Sequence, residues 1–230
     1  MQIPDCVEIE LGEDPKSSVV WLHGLGADGH DFEPIVPELK LPDDPAVRFV
    51  FPHAPLRPVT INGGMAMRAW YDIRSFDRDG PEDEAGIRES ATLLGRLVER
   101  EHQRGADYGR IVLAGFSQGG AIALHTALRF PRRLAGLMAL STWLPLAQSL
   151  RDEVAGSEHS APRTVPIFMA HGRFDTVLPI ELGRFSKETL EHAGFAVEWH
   201  EYSMAHAVCA EEITAISQWL QSVLGAGRPA

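Results

Sequence analysis

The sequence predicts an α/β fold in which a mostly parallel central sheet carries helices on both faces. Short apolar runs of strand length alternate with longer amphipathic segments, and this alternation is typical of βαβ units. The chain has 230 residues, of which 44% are hydrophobic and 23% are charged, an ordinary balance for a globular protein. No internal repeat or linker breaks the pattern, so we expect one domain spanning residues 1–230.

The individual elements follow from periodicity and from turn residues. The predicted strands, in order, are Ser18–Leu22, Val47–Phe51, Arg68–Ile73, Ile111–Ala114, Leu134–Leu140, Val165–Ala170 and Ala196–Tyr202. The predicted helices are Asp31–Leu39, Pro81–Gln103, Ser117–Arg129, Ile180–Ala193 and Val208–Leu224, each with apolar residues at helical spacing or a high Ala and Leu content. Leu146–Arg163 is expected to be the least structured stretch.

Charge and cysteine usage exclude several functions. The net charge is −11, which argues against nucleic acid or an anionic membrane as the main partner. No apolar run approaches the roughly 20 residues that span a bilayer. Residues 1–10 contain acidic but no basic side chains, so we expect no secretory signal and a cytoplasmic protein. Cys6 and Cys209 form neither a disulfide framework nor a metal spacing, so we expect both to be buried or incidental thiols and no metal to be bound.

The clearest chemical signal is Gly115-Phe116-Ser117-Gln118-Gly119, which matches G-x-S-x-G. It follows a predicted apolar strand and precedes an Ala-rich helix, the context in which this motif presents a serine on a tight turn. Ser117 is therefore the predicted nucleophile, and the alternative is a plain serine at a helix N-terminus. A serine hydroxyl also needs a base and an orienting acid.

The base and the acid are expected in loops after later strands, because the carboxyl ends of parallel strands gather at one edge of a sheet. His206 follows the last predicted strand and is the predicted base. Asp175 follows the strand before it, which satisfies the order Ser, Asp, His. His171 is interpreted as a buried support for the loop that carries the acid. Competing acids in the same interval are Asp152, Glu153, Glu158 and Glu181, and Asp175 could alternatively serve as a turn residue.

Two further parts of an acyl-transfer site are expected at the same edge. The loop His23–Gly26 follows the first strand, and the amides of Leu25 and Gln118 are predicted to bind the oxyanion. Trp143, Leu178 and Met65 are predicted to contact the substrate, with Thr60–Met67 covering an apolar groove. The alternative is that Trp143 and the methionines only pack the core.

Taken together, these motifs resemble those of a known family, the small cytosolic α/β-hydrolases that include carboxylesterases, phospholipases and acyl-protein thioesterases. The resemblance covers roughly residues 4–224 and rests on segments in family order: His23–Gly29, Trp70–Ile73, Gly115–Gly120, Ser141–Pro145, His171–Asp175 and Met204–His206. It implies an α/β-hydrolase fold, a serine hydrolase with Ser117, Asp175 and His206 as its triad, and no cofactor. It also implies homodimers. One local departure is Ala207, where many members carry Ser or Glu.

The expected function is a serine carboxylesterase that hydrolyses short- to medium-chain esters through an acyl-enzyme. The interval between the strands ending at Leu140 and starting at Val165 is about 24 residues, too few for a separate lid domain. The alternatives are an acyl-protein thioesterase or lysophospholipase, a peptidase or acyltransferase, and a non-catalytic binding protein of the same fold. The expected partner is a small-molecule acyl ester or thioester.

Overall fold

The computed structural model describes residues 3–75, 80–155 and 164–225. The strands are β1 (Cys6–Leu11), β2 (Ser17–Leu22), β3 (Val47–Pro52), β4 (Leu56–Val59), β5 (Met65–Arg68), β6 (Ile111–Phe116), β7 (Gly136–Leu140), β8 (Ile167–Gly172) and β9 (Val197–Tyr202). The helices are α1 (Ile35–Glu38), α2 (Glu84–Gln103), α3 (Gln118–Ala127), α4 (Ala147–Ala155), α5 (Ile180–His192) and α6 (Ala210–Leu224).

Seven strands form one sheet in the order β1-β3-β2-β6-β7-β8-β9. Every pair in it is parallel except β1 with β3, and β4 pairs with β5 in a separate antiparallel hairpin. All six residues of β2 are buried, as expected for a central parallel strand covered on both faces. This architecture confirms the predicted mostly parallel α/β sheet.

Each face of the sheet is covered by its own set of helices. On one face α2, α3 and α5 bury Ile87, Leu124 and Leu190 against the sheet. On the other face α1 and α6 bury Ile35 and Leu220. The helices on both faces were predicted, and this arrangement leaves the loops at the strand ends free to carry a site.

Three local predictions differ from the structure. Strand β1 was not predicted, although its alternation of apolar and acidic residues is typical of a half-buried strand at a sheet edge. The predicted strand Arg68–Ile73 is wrong beyond Arg68, since the backbone N–H of Trp70 donates to the Gln118 side chain and not to a neighbouring strand. The predicted helix Asp31–Leu39 shrinks to the four residues of α1, which begins directly after Pro34 and contains Pro37, the two prolines expected to limit its length.

The segment between β7 and β8 contains a helix that the sequence did not indicate. Helix α4 occupies Ala147–Ala155, within the stretch that was expected to be least structured. Residues 156–163 of that stretch lie outside the described residues. The absence of a lid domain therefore stays a prediction. Over the described ranges, no helix is both long and apolar enough to cross a membrane.

Candidate active site

Ser117 occupies a tight turn between β6 and α3. Its backbone has φ 53° and ψ −122°, a conformation that residues other than glycine rarely adopt. A Cβ atom at Gly119 would lie 2.4 Å from the carbonyl oxygen of Leu22, so only glycine allows the helix to approach the sheet this closely. The Thr142 hydroxyl, which sequence reasoning did not single out, supports the turn by donating to the Ser117 carbonyl oxygen at 2.6 Å. Strain of this kind costs about 1–3 kcal/mol and is found mainly at functional sites.

The predicted base and acid meet in the loops after β9 and β8. Nδ1 of His206 lies 2.6 Å from Oδ2 of Asp175, whose side chain is fully buried. The other carboxylate oxygen accepts hydrogen bonds from the backbone amides of Val177 at 2.9 Å and Leu178 at 2.8 Å. The carboxylate is thus held by the loop's own backbone with one oxygen left for the histidine.

The His206 ring packs against the residue that precedes Ser117. Its centroid is 4.7 Å from that of Phe116, the residue immediately before Ser117. Within the described part of the chain, the Ser117 hydroxyl makes no hydrogen bond. In ligand-free enzymes the hydrogen bond between a catalytic serine and its histidine is often long, and it shortens only when substrate binds.

Among the competing acids that the structure describes, none pairs with His206. Asp152 is exposed on α4, and Glu181 is exposed in the first turn of α5. Glu153 instead forms ion pairs with Arg88 and Arg129, and the two arginines hold its pKa low, at about 2. Glu158 lies outside the described residues.

His171 lies beneath the loop that carries Asp175, the loop that it was predicted to support. Its Nε2 is 2.9 Å from the carbonyl oxygen of Leu178 and 3.4 Å from Oδ2 of Asp175. Burial lowers the pKa of His171, so the ring is neutral. Because a carbonyl oxygen only accepts, the proton of the neutral ring must be on Nε2.

The glycine-rich loop after β2 packs directly against Ser117. A Cβ atom at Gly24 would lie 3.4 Å from the Cβ atom of Ser117. The amides of Leu25 and Gln118 donate no hydrogen bond to the described residues, whereas the amide of Gly26 donates to Arg68 at 2.8 Å. Gln118 is the first residue of α3, so its N–H has no acceptor within the helix. Both predicted oxyanion donors are therefore free to bind a negative oxygen.

Two of the three predicted substrate contacts share one cavity. Trp143 and Leu178 line a cavity of about 230 Å³, together with apolar side chains that include Tyr71, Ile73, Leu144, Leu182 and Phe185. The cavity is connected to the site through the chain, because Trp143 follows Thr142 and the Leu178 amide donates to Asp175, although neither Ser117 nor His206 lines it. Met65 is 65% exposed on β5 and is not among the lining residues, so it neither packs the core nor joins this cavity.

Comparisons with known proteins place the chain beside a family of hydrolases and its solved structures. Residues 4–224 match the family described as Phospholipase/Carboxylesterase. Acyl-protein thioesterase 1 of Cryptococcus neoformans is 36% identical over 95% of this chain and 97% of its own, and that of Mycosarcoma maydis is 39% identical over 94% of each. The crystal structure of acyl-protein thioesterase 2 from Zea mays superposes with a TM-score of 0.86 at 29% identity, covering 96% of this chain and all of that one.

Proposed function

This chain belongs to the phospholipase/carboxylesterase family of serine hydrolases, which act on esters or thioesters, and on that premise we propose that Ser117, His206 and Asp175 form its catalytic triad. The observation that carries the proposal is the 2.6 Å contact between His206 and Asp175, in loops that end neighbouring strands beside a strained serine. Acyl thioesters and carboxylic esters are the proposed substrates.

The proposed cycle follows from the direction of these hydrogen bonds. Asp175 accepts a hydrogen bond from Nδ1–H of His206, so Nε2 is left to take the proton of Ser117 as Oγ bonds to the carbonyl carbon. The oxygen that becomes negative binds the amides of Leu25 and Gln118. His206 then gives its proton to the leaving thiol or alcohol, and a water molecule, activated by the same ring, releases the acid and restores Ser117.

The comparisons favour a thioesterase over the short-chain carboxylesterase that the sequence suggested. The relatives named above are acyl-protein thioesterases, and they match this chain over nearly its whole length. A thiol of pKa about 8.5 is a better leaving group than an alcohol. A triad that cleaves carboxylic esters can therefore also cleave thioesters. We place the acyl chain in the cavity lined by Trp143 and Leu178.

A matched pair of substrates tests the proposal. The purified protein is given an octanoyl oxyester and the octanoyl thioester of similar size, together with an S-octanoyl cysteine peptide and the corresponding peptide amide. Hydrolysis of the oxyester and both thioesters is expected, with the amide left intact, and Ser117→Ala should abolish all turnover. A fluorophosphonate label, located by mass spectrometry, should attach to Ser117. Labelling elsewhere, or turnover by Ser117→Ala, would overturn the triad, and cleavage of the amide would indicate a peptidase.

Two further properties are proposed on the strength of the family resemblance. We expect a homodimer, which light scattering coupled to size-exclusion chromatography measures directly. We also expect a cytoplasmic location, which cell fractionation checks. A monomer at all concentrations, or recovery with the membrane fraction, would contradict the respective expectation.

A further inference from the structure

Trp70 lies between the loop that carries Leu25 and the start of α3 that carries Gln118, the two proposed oxyanion donors, and it forms hydrogen bonds to both segments. Its indole Nε1 donates to the carbonyl oxygen of His23 at 2.9 Å, and its backbone N–H donates to Oε1 of Gln118 at 2.9 Å. We propose that Trp70 is a positioning residue that holds the Leu25 and Gln118 amides at a fixed separation. This inference rests on the proposed function, because it concerns the same oxyanion site.

On the first side, Trp70 bonds to the backbone of His23, and the His23 ring in turn orients the peptide group between Gly24 and Leu25. The Ala54 amide donates to Nε2 of His23 at 3.0 Å, so the proton of the neutral ring is on Nδ1, which donates to the Gly24 carbonyl at 2.7 Å. Burial lowers the pKa of His23 to about 4, so the ring stays neutral near pH 7. In a trans peptide the C=O and N–H point in opposite directions. Holding the Gly24 oxygen therefore aims the Leu25 N–H away from the imidazole.

The indole fixes the position of that imidazole. It bonds the carbonyl of His23 itself, and the two rings lie with centroids 5.2 Å apart. A shift of Trp70 would thus move the His23 backbone and ring together, and with them the direction of the Leu25 amide.

On the second side, Trp70 anchors the first residue of α3 through its side chain. Oε1 of Gln118 accepts from Trp70 N, and Nε2 donates to the Tyr71 carbonyl at 2.7 Å. Since a backbone N–H can only donate, these contacts assign the carboxamide oxygen and nitrogen without ambiguity. The Ser90 hydroxyl donates to the Trp70 carbonyl, so the backbone of Trp70 is itself held from α2. The Gln118 N–H is thereby tied to the same residue as the Leu25 N–H.

A second tryptophan provides a matched control. Trp21 in β2 is as deeply buried as Trp70, each being 1% exposed, but its indole nitrogen has no hydrogen-bond partner among the described residues. Replacement by phenylalanine keeps an aromatic ring and removes the N–H at either position. The comparison between the two variants therefore isolates the bond to His23.

Trp70→Phe should lower kcat on the octanoyl thioester about ten- to hundredfold with KM within about threefold, because loss of one oxyanion donor costs about 10²–10³ in rate and a displaced donor costs part of that. Trp21→Phe should keep kcat within about twofold. An alkyl trifluoromethyl ketone, which forms an oxyanion on the serine, should bind Trp70→Phe more weakly by the same factor as the loss in kcat/KM. The non-reactive octanoyl amide should bind both variants equally.

Urea unfolding shows whether each variant is folded. If Trp70→Phe does not fold, replacement of Trp70 by 3-benzothienylalanine, in which sulfur takes the place of the N–H, decides the question. Full kcat in a folded Trp70 variant, or an equal loss in Trp21→Phe, would overturn the inference. An inactive wild-type protein, or an active Ser117→Ala, would instead overturn the proposed function, so the two failures are distinguishable.

Discussion

The donors around Asp175 predict that an asparagine at this position would force His206 into the wrong tautomer. One carboxylate oxygen accepts the amides of Val177 and Leu178, and the other accepts Nδ1 of His206. If the asparagine NH₂ faced the two amides, two buried hydrogen bonds would be lost at about 1–3 kcal/mol each. The asparagine oxygen will therefore occupy the first position, and its NH₂ will face His206.

An NH₂ group in that place can only donate, so Nδ1 of His206 must become an acceptor and the proton must move to Nε2. The ring then cannot take a proton from Ser117. The same exchange in a serine protease triad lowers kcat about 10⁴-fold, and we expect a loss of that order, equivalent to about 5–6 kcal/mol of activation free energy. Because both backbone bonds to Asp175 survive, the free energy of unfolding should fall by no more than about 1–3 kcal/mol, the value of one charged hydrogen bond.

The assay is kcat on the octanoyl thioester for Asp175→Asn, with urea unfolding of the same preparation. Asp152→Asn and Glu181→Gln are the matched controls, since each removes one carboxylate charge from an acid that competed with Asp175 in the sequence. Both controls should keep wild-type kcat. Asp175→Asn with more than about a hundredth of wild-type kcat would refute the reasoning about the tautomer.

Four other outcomes are expected. Ser117→Gly and Ser117→Ala should both be inactive. The free energy of unfolding in urea should be about 1 kcal/mol higher for the glycine variant, because glycine relieves the strain of the positive φ at this position. Equal stability of the two variants would contradict the strain. Burial raises the pKa of Glu212 to about 8, above the value of 4.5 for a free side chain, so the free energy of unfolding should fall as pH rises from about 4.5 to 8. Glu212→Gln should flatten that slope and stabilise the protein at pH 8 by on the order of 4 kcal/mol, which urea midpoints at pH 5 and 8 would test. EDTA should leave kcat unchanged, and a loss restored by added metal would indicate a metal site. Soluble octanoyl esters should be hydrolysed faster than an emulsified long-chain triglyceride, and a rate jump above the solubility limit would indicate a lidded lipase.

Much of the fold could be predicted from the sequence because its signals are local. The apolar run of β6, the glycines around Ser117 and the Ala-rich start of α3 specify a strand, a turn and a helix within a few residues of one another. The predicted positions of Asp175 and His206 followed from the same alternation, since loops after parallel strands share an edge. Among the elements that were not predicted are β1 and α4. The alternating pattern of β1 is itself a strand signal that the prediction missed, whereas α4 lies in a stretch with weak periodicity.

Only the tertiary structure decided which groups bond to one another. Asp175 and His206 are 31 positions apart, and their hydrogen bond depends on the burial of Asp175 and on the adjacent places of β8 and β9 in the sheet. Trp70 lies in a segment whose sequence favours a strand, yet its N–H binds a glutamine 48 positions away. Local sequence sets the preference of each segment for helix or strand. The partner of a buried donor depends on which distant acceptor the folded chain brings within about 3 Å, and that is decided by packing.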